Sequence, residues 1–158
     1  MIRKMESRDL PAVLEIYQQG MDTRMATFET HVPTMEAWDL KFHPALRFVF
    51  EENDMIVGWI SLTPISSRAA YRGVGEVSVY IRDQVEGRGI GTRLLLHLEE
   101  EARNIGYWML QSSIFEINEA SIRLHKRCGF RIVGIREKIA ERDGVWHNNC
   151  LMEKRIIK

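Results

Sequence analysis

The stretch of sequence that decides the fold runs from Glu76 to Thr92 and reads EVSVYIRDQVEGRGIGT. Residues 76–81 alternate between branched apolar side chains and polar or aromatic ones, and this period of two predicts a β-strand. The glycine-rich residues 87–92 then lead into apolar residues at helical spacing, which predicts a tight strand-to-helix connection. Glycines there let backbone amides approach an anion, and the helix N-terminus adds partial positive charge. The loop therefore predicts a pyrophosphate site, with a connection that binds no ligand as the alternative.

The spacing of the glycines excludes two common nucleotide-binding loops. A Walker loop ends in Gly-Lys-Ser or Gly-Lys-Thr, and this segment has no such ending. A dinucleotide-binding fingerprint opens a βαβ unit, whereas this loop lies in the middle of the chain. The loop is therefore predicted to bind a phosphate-bearing ligand that is neither a nicotinamide nor a flavin dinucleotide.

The same kinds of pattern predict the other elements of the chain. Before this stretch they predict a strand at 1–4, a helix from about Arg8 with Ser7 as its N-cap, a shorter helix between Thr34 and Pro44, and a hairpin of strands 46–51 and 55–62. After it they predict a helix that Gly106 ends and whose Glu99, Glu100 and Glu101 face solvent, a strand at 107–115, a helix from Asn118 to Gly129, and two strands around Arg142-Asp143-Gly144. This order predicts a single α/β domain over residues 1–158.

Composition narrows the class of protein further. The 22 basic and 22 acidic residues cancel, so the general attraction to phosphate backbones is missing and nucleic acid is excluded as the main partner. No apolar run approaches the roughly 18 residues of a membrane span, and no secretory leader is present, so we expect a soluble, cytoplasmic protein. The two cysteines, Cys128 and Cys150, lack metal-ligand spacing and are predicted to be reduced and buried. The histidines show no such spacing either, so no metal is predicted.

Two blocks of the sequence resemble the GNAT superfamily of N-acetyltransferases. Residues 86–91 resemble its cofactor loop, Q/R-x-x-G-x-G/A, with Glu86 in place of the usual Gln or Arg. Residues 118–130 resemble its N-x-x-[SA]-x-x-L-[YH]-x-x-x-G-F helix. The resemblance implies acetyl-CoA as co-substrate and an α/β (α+β) fold in which four helices flank a mixed, mostly antiparallel sheet of about seven strands.

Shorter matches along nearly the whole chain resemble the phosphinothricin and methionine sulfone acetyltransferases of that superfamily. They are Ile16-Tyr17, residues 26–30, residues 76–81, Leu124-His125 and residues 144–146. The tail departs from the subfamily pattern, because Val145 and Asn148 stand where Arg and Asp are usual. The resemblance implies a small amino-acid-like acceptor and a homodimer. A polyamine, an aminoglycoside or a protein N-terminus as acceptor, and a non-catalytic acyl-CoA sensor, are the alternatives.

The resemblance also implies which residues bind each substrate. Acetyl-CoA would be held by Val79, Tyr80, Ile81, Gly87, Arg88, Gly89, Ile90, Gly91, Thr92 and Asn118. The acceptor would be held by Phe28, Glu29, Ala69, Ala70 and Tyr71. The aromatic members of this second set are equally compatible with ordinary core positions.

Two residues are candidates for proton transfer. Glu76 shares a strand face with Ser78 and Tyr80 and is the candidate base, but its ordinary pKa of about 4.3 requires burial or a water relay; an ion-pairing carboxylate is the alternative. His125 occupies the position at which many superfamily members have a tyrosine that protonates the CoA thiolate, and an imidazole can do the same near neutral pH. A packed helix side chain is the alternative for His125. No nucleophile signature is present, which favours direct transfer without a covalent enzyme intermediate.

Overall fold

Seven strands form one mixed sheet, and four α-helices flank it, in a computed structural model that describes all residues from 1 to 158. The helices are α1 (Leu10–Asp22), α2 (Met35–Lys41), α3 (Ile90–Asn104) and α4 (Glu119–Arg127). The strands are β1 (Ile2–Lys4), β2 (Arg47–Glu52), β3 (Met55–Pro64), β4 (Val74–Ile81), β5 (Met109–Phe115), β6 (Arg131–Arg142) and β7 (Val145–Arg155). Two short 3₁₀ turns, Ser7–Asp9 and Ala69–Tyr71, complete the order. The predicted fold class is confirmed.

The strand order across the sheet is β1-β2-β3-β4-β5-β7-β6. Every neighbouring pair is antiparallel except β4 and β5, which are parallel. That parallel pairing is short, since it joins only residues 74–76 to residues 109–111. Beyond Glu76 and Gln111 the two central strands part, although each continues for several residues against its other neighbour. The sheet therefore opens at its centre, on the side towards which both strands run.

Each face of the sheet carries its own apolar core. Helices α3 and α4 cover the larger core, which includes Leu62, Leu94, Leu98, Leu110 and Met152. Helices α1 and α2 cover the smaller one, which includes Val13, Ile16, Tyr17, Trp38 and Trp59. Burial of these side chains stabilises the fold by removing apolar surface from water, at roughly 25 cal/mol per Å². Both cysteines are free and buried, as predicted.

Most predicted helix boundaries are confirmed by the capping contacts, but the N-cap of the first helix is not. Thr34 accepts a hydrogen bond from the amide of Ala37 at 3.1 Å and so begins α2 as predicted. Ser7 was predicted as a cap and instead lies inside the 3₁₀ turn. Glu6 is the N-cap of that turn, and the Asp9 carboxylate reaches back to accept from the Glu6 amide at 2.8 Å, as in a capping box. Several polar residues at 6–9 are suitable N-caps, and composition alone does not decide which of them takes that position.

The prediction that Glu99 faces solvent is wrong. Its side chain is buried on α3, where its two carboxylate oxygens accept hydrogen bonds from Arg103 and from Lys154, each at 2.9 Å. Arg103 is one helical turn away, but Lys154 comes from β7, at the other end of the chain. Removing a carboxylate from water costs much less free energy when a cation pairs with it. The pairing with Lys154 therefore allows Glu99 to lie at the edge of the core instead of at the surface.

Candidate active site

A cavity of about 250 Å³ lies where β4 and β5 part. Its walls come from these two strands, from α1, α4 and the end of α2, and from the irregular segment that follows α1. Two parallel strands that separate leave backbone groups along the inner edge of each without a ladder partner. The opening therefore offers an extended ligand a place to pair with β4 beyond Glu76, as an added strand would. Val79 and Tyr80, two of the predicted cofactor residues, lie on that free length and line the cavity.

Glu76 lies at the vertex of the opening. It is the last residue of β4 that pairs with β5, and its side chain is half-buried. The carboxylate oxygen Oε1 accepts hydrogen bonds from Gln111 Nε2 at 3.4 Å and from Ser113 Oγ at 3.2 Å. Both donors are neutral, and no cation lies within ion-pairing distance of Glu76. The geometry thus leaves this carboxylate able to accept a proton at the cavity wall.

His125 reaches the same cavity from α4 and is almost fully buried, with 2% of its surface exposed. Its Nδ1 lies 2.7 Å from the carbonyl oxygen of Ser121, and because a carbonyl only accepts, Nδ1 carries the proton. Burial lowers the pKa of the imidazole below its ordinary value, so the ring is neutral near pH 7. Its other nitrogen, Nε2, is buried without any partner and presents a free lone pair.

Besides the indole Nε1 of Trp59, two further buried polar atoms on residues of the cavity wall have no partner. They are Ser112 Oγ on β5 and Asn149 Oδ1 on β7. Buried polar atoms in folded proteins are nearly always paired, so groups left free around one cavity indicate where a bound molecule or ordered water supplies the missing partners. No local sequence pattern marks either residue. Asn149 lies opposite Phe115 in the β5–β7 ladder, a relation between distant segments that no local pattern contains.

Several of the other residues that line the cavity are aromatic. Trp59 and Tyr80 stack with ring centroids 5.0 Å apart, and Tyr17 packs against Tyr80 at 5.1 Å. On another wall, the ring of Phe28 lies 4.3 Å from that of Phe115. Such walls bind apolar or thioether-like groups while keeping water out.

The predicted acceptor residues do not all come together. Phe28 and Glu29 line the cavity. Ala69, Ala70 and Tyr71 form an exposed 3₁₀ turn before β4 and do not line it. Lys41, at the end of α2, lines the cavity and was not predicted, because an isolated lysine at a helix terminus carries no pattern of its own. Among the residues that line the cavity, Lys41 is the only lysine or arginine, and Glu29 and Glu76 are the only carboxylates.

The glycine loop at 87–92 presents a row of unpaired amides. None of the backbone N–H groups from Gly87 to Thr92 donates to an acceptor within the protein. Gly87 and Gly89 both have φ of +80°, and a side-chain carbon added at either would meet no atom within 4 Å. The side chain of Ile90 is buried in the larger core, so only its amide faces the loop. Arg88 forms a two-pronged pair with Glu52, each contact being 2.9 Å.

The sequence of this chain matches the family model described as the acetyltransferase (GNAT) family over residues 10–130. The chain belongs to this family of acetyltransferases. It is 36% identical to YwnH of Bacillus subtilis, which carries a provisional phosphinothricin acetyltransferase name, with 90% of this chain and 91% of that protein covered. It is 32% identical to the L-methionine sulfoximine/L-methionine sulfone acetyltransferase of Pseudomonas aeruginosa PAO1, with 96% and 92% covered.

Solved structures of the family are closely similar to this acetyltransferase. A phosphinothricin acetyltransferase from Sinorhizobium meliloti, solved in complex with acetyl-CoA, superposes with a TM-score of 0.90 at 25% identity, covering 98% of this chain and 87% of that one. The residues of this chain fit such a ligand: the unpaired amides and the open space beside Gly87 and Gly89 suit a pyrophosphate. No group of three or more His, Cys, Asp or Glu side chains is arranged to hold a metal ion.

Proposed function

We propose that this acetyltransferase moves the acetyl group of acetyl-CoA to the amino group of a small amino-acid-like molecule, of the methionine sulfoximine, methionine sulfone or phosphinothricin type. The observation that carries the proposal is the opening between β4 and β5, which has Glu76 at its vertex and a cavity beside it, while the chain that leaves β4 continues into the row of unpaired loop amides. The names of the relatives support the acceptor class. We assign the whole chain, residues 1–158, to this one catalytic domain.

The charges of the cavity suit a zwitterion. Glu29 and Glu76 offer two carboxylates for an ammonium group, and Lys41 offers one cation for a carboxylate or a phosphinate. The aromatic walls suit the short apolar side chain that joins those two ends. A polyamine or an aminoglycoside carries only positive charges, so it would have no group to pair with Lys41.

Two regions of the chain position acetyl-CoA. The amides of residues 87–92 hold the pyrophosphate, Asn118 on the cavity wall contacts the arm that follows it, and residues 79–81 pair with that arm. Bound there, acetyl-CoA supplies an acetyl group activated as a thioester. Arg88 would reach a phosphate only by leaving Glu52, so its contribution is smaller than that of the loop amides.

Two side chains move the protons. An amino group that enters as an ammonium ion must lose one proton before it attacks, and Glu76 accepts it directly or through a water. The same nitrogen loses a second proton as the amide forms. His125 accepts that proton at Nε2, the nitrogen whose lone pair is free, and passes it to the departing sulfur. The products are the N-acetylated acceptor and the free thiol, and the proton on Glu76 returns to solvent.

Thiol release from acetyl-CoA, measured across a panel of amines, tests the proposal. The panel contains methionine sulfone, methionine sulfoximine, phosphinothricin, ordinary amino acids, spermidine, an aminoglycoside and a peptide with a free N-terminus. Saturable release with one of the first three is expected. Release with spermidine, the aminoglycoside or the peptide alone would overturn the acceptor class, and silence across the panel despite acetyl-CoA binding would favour a non-catalytic sensor.

Glu76→Gln tests the role of the base. Acetylation is expected to fall by about 10² or more, the lower range for general-base catalysis, while acetyl-CoA affinity stays nearly unchanged. The matched control is Glu100→Gln, because Glu100 is an exposed carboxylate on the outer face of α3 and forms no ion pair or side-chain hydrogen bond. Wild-type turnover by the Glu76 variant would remove this residue from the mechanism.

The family resemblance extends the proposal to assembly and location. We propose a cytoplasmic homodimer in which the exposed turn Ala69–Tyr71 approaches the acceptor site of a second copy, since it does not line the cavity of its own chain. No helix of this chain has the length and apolar character needed to cross a bilayer. Light scattering after size exclusion tests the dimer: a mass near twice the 18.5 kDa of the chain is expected, and a mass near 18.5 kDa at micromolar concentration would refute it.

A further inference from the structure

The acceptor side of the cavity includes a segment with no regular secondary structure. Residues 23–34 join α1 to α2, and within them Ala26, Thr27, Phe28 and Glu29 line the cavity. No backbone-to-backbone hydrogen bond ties residues 25–33 to any other element. A wall of this kind keeps its shape only if side chains from elsewhere hold it in place, because an irregular segment has no ladder of its own.

Three side chains from other elements supply four hydrogen bonds to this segment, and one of them supplies two of the four. Tyr80 Oη donates to the carbonyl of Ala26 at 3.4 Å, and Asn118 Nδ2 donates to that of Met25 at 3.3 Å; both contacts are long. Arg142, at the end of β6, donates from Nη1 to two carbonyls of the segment, those of Thr27 at 2.8 Å and Glu29 at 3.0 Å. These contacts span 115 and 113 residues of sequence.

The surroundings of Arg142 fit a structural clamp rather than a surface charge. Only 8% of the residue is exposed. Its Nη2 donates to the carbonyl of Met21 at 3.0 Å, in the last turn of α1, where the helix dipole favours a cation. Its Nε donates to the carboxylate of Asp143 at 3.3 Å, which balances the charge. Four contacts from three nitrogens match the planar fork of a guanidinium, and a lysine ammonium, with its single nitrogen, cannot reach all of the acceptors.

We propose that Arg142 is a positioning residue that sets the acceptor-binding wall, by holding the end of α1 and the carbonyls on either side of Phe28. The inference rests on the proposed function for the identity of the ligand, an amino-acid-like amine. It assigns Arg142 no contact with that ligand or with acetyl-CoA. Phe28 lies between the two clamped carbonyls, so a displaced segment would carry its ring away from Phe115 and change the width of the cavity.

Steady-state kinetics of Arg142→Ala and Arg142→Lys test the proposal. The KM for the best acceptor of the panel is expected to rise at least tenfold in both variants. The acetyl-CoA dissociation constant and kcat are expected to stay within about threefold of the wild type. Arg131→Ala is the matched control, because Arg131 is an arginine on the same strand, exposed, and paired only with Glu153. An acceptor KM within twofold of the wild type in a folded Arg142→Ala variant would overturn the proposal.

Limited trypsin digestion gives a second measurement that needs no acceptor. Arg24 is an exposed arginine inside the segment, and trypsin cuts after arginine. Cleavage at Arg24 is expected to accelerate at least tenfold in Arg142→Lys, the variant that keeps the charge, and to stay unchanged in Arg131→Ala. Unchanged cleavage in Arg142→Lys would refute the clamp. If no member of the panel is acetylated, the proposed function fails, while the digestion still decides whether Arg142 holds the segment.

Discussion

A comparison of Gly89→Ala with Gly144→Ala separates the free-energy cost of backbone strain from the loss of affinity caused by a blocked ligand site. Gly89 precedes the first residue of α3 with φ of +80°, and Gly144 in the β6–β7 turn has the same φ of +80°. An added Cβ meets no atom within 4 Å at either position. The two substitutions therefore carry the same strain, about 1–2 kcal/mol for an L-residue in the left-handed region, with no clash inside the protein.

The two variants differ in what the new methyl group faces. At Gly89 it points into the open space beside the unpaired amides of residues 87–92, where the pyrophosphate is proposed to bind. A hydrogen bond to a charged group contributes about 1.5–3 kcal/mol, so the loss of one amide-to-phosphate contact weakens binding about 10- to 100-fold. At Gly144 the methyl group faces no proposed ligand, and acetyl-CoA affinity should be that of the wild type.

Isothermal titration with acetyl-CoA and thermal unfolding, both on the two variants, provide the assay. Both variants are expected to lose the same stability, and only Gly89→Ala is expected to lose acetyl-CoA affinity. Equal affinities in the two variants would refute the assignment of the loop to the pyrophosphate. A much larger loss of stability in Gly89→Ala would refute the open space around the loop.

Three further predictions follow from buried contacts. Asp9→Asn weakens the two-pronged pair with Arg3 and lowers the free energy of unfolding by about 2 kcal/mol near pH 7. Because the Arg3 hydrogen bonds lower the pKa of Asp9, this stabilisation is present above the ordinary carboxyl pKa of about 4 and is lost as the pH falls through the folded-state pKa. Urea unfolding of both proteins from about pH 7 to pH 3 checks this prediction. A difference in unfolding free energy that stays constant over this range would contradict it. In a solvent-exposed helix, replacement of glycine by alanine is stabilising by about 1 kcal/mol. Gly20→Ala is instead expected to destabilise this protein by about 1–3 kcal/mol in the same assay, because the new Cβ would lie 2.6 Å from the ring of Tyr80. A gain in stability would contradict this packing. NMR titration of His125 is expected to give a pKa below the ordinary value of about 6.5, since burial disfavours the imidazolium, and a value at or above 6.5 would contradict this effect of burial.

Local chemistry explains why so much of the fold was predictable. Thr34 and Asn118 cap their helices through their own side chains, accepting from amides three residues ahead, and such contacts need no distant partner. Gly106 and Gly129 lie just beyond helix ends with φ of +104° and +93°, as the helix-stop pattern predicts. The alternation in residues 76–81 likewise depends only on the pleat of a strand.

The candidate site was predictable in part, for the same reason. The glycine loop and Glu76 lie within or directly beside one local pattern, and the structure places Glu76 at the vertex of the opening and leaves the amides of the loop unpaired. The turn at 69–71 was predicted to line the acceptor pocket through the resemblance alone, and it lies outside the cavity of its own chain. In the proposed homodimer this turn approaches the acceptor site of a second copy, and no local pattern within one chain encodes contacts between copies.

The amino-acid sequence by itself determined the order of the elements, the strand-to-helix loop and the family, because each depends on contacts between residues close in the chain. Only the tertiary structure decided where β4 and β5 part, that Glu99 is buried against Lys154, and that Arg142 holds the segment around Phe28. These features join residues tens to more than a hundred positions apart. Their energies depend on burial and on the pairing of polar groups that become neighbours only after the sheet has formed, so no local pattern of side chains specifies them.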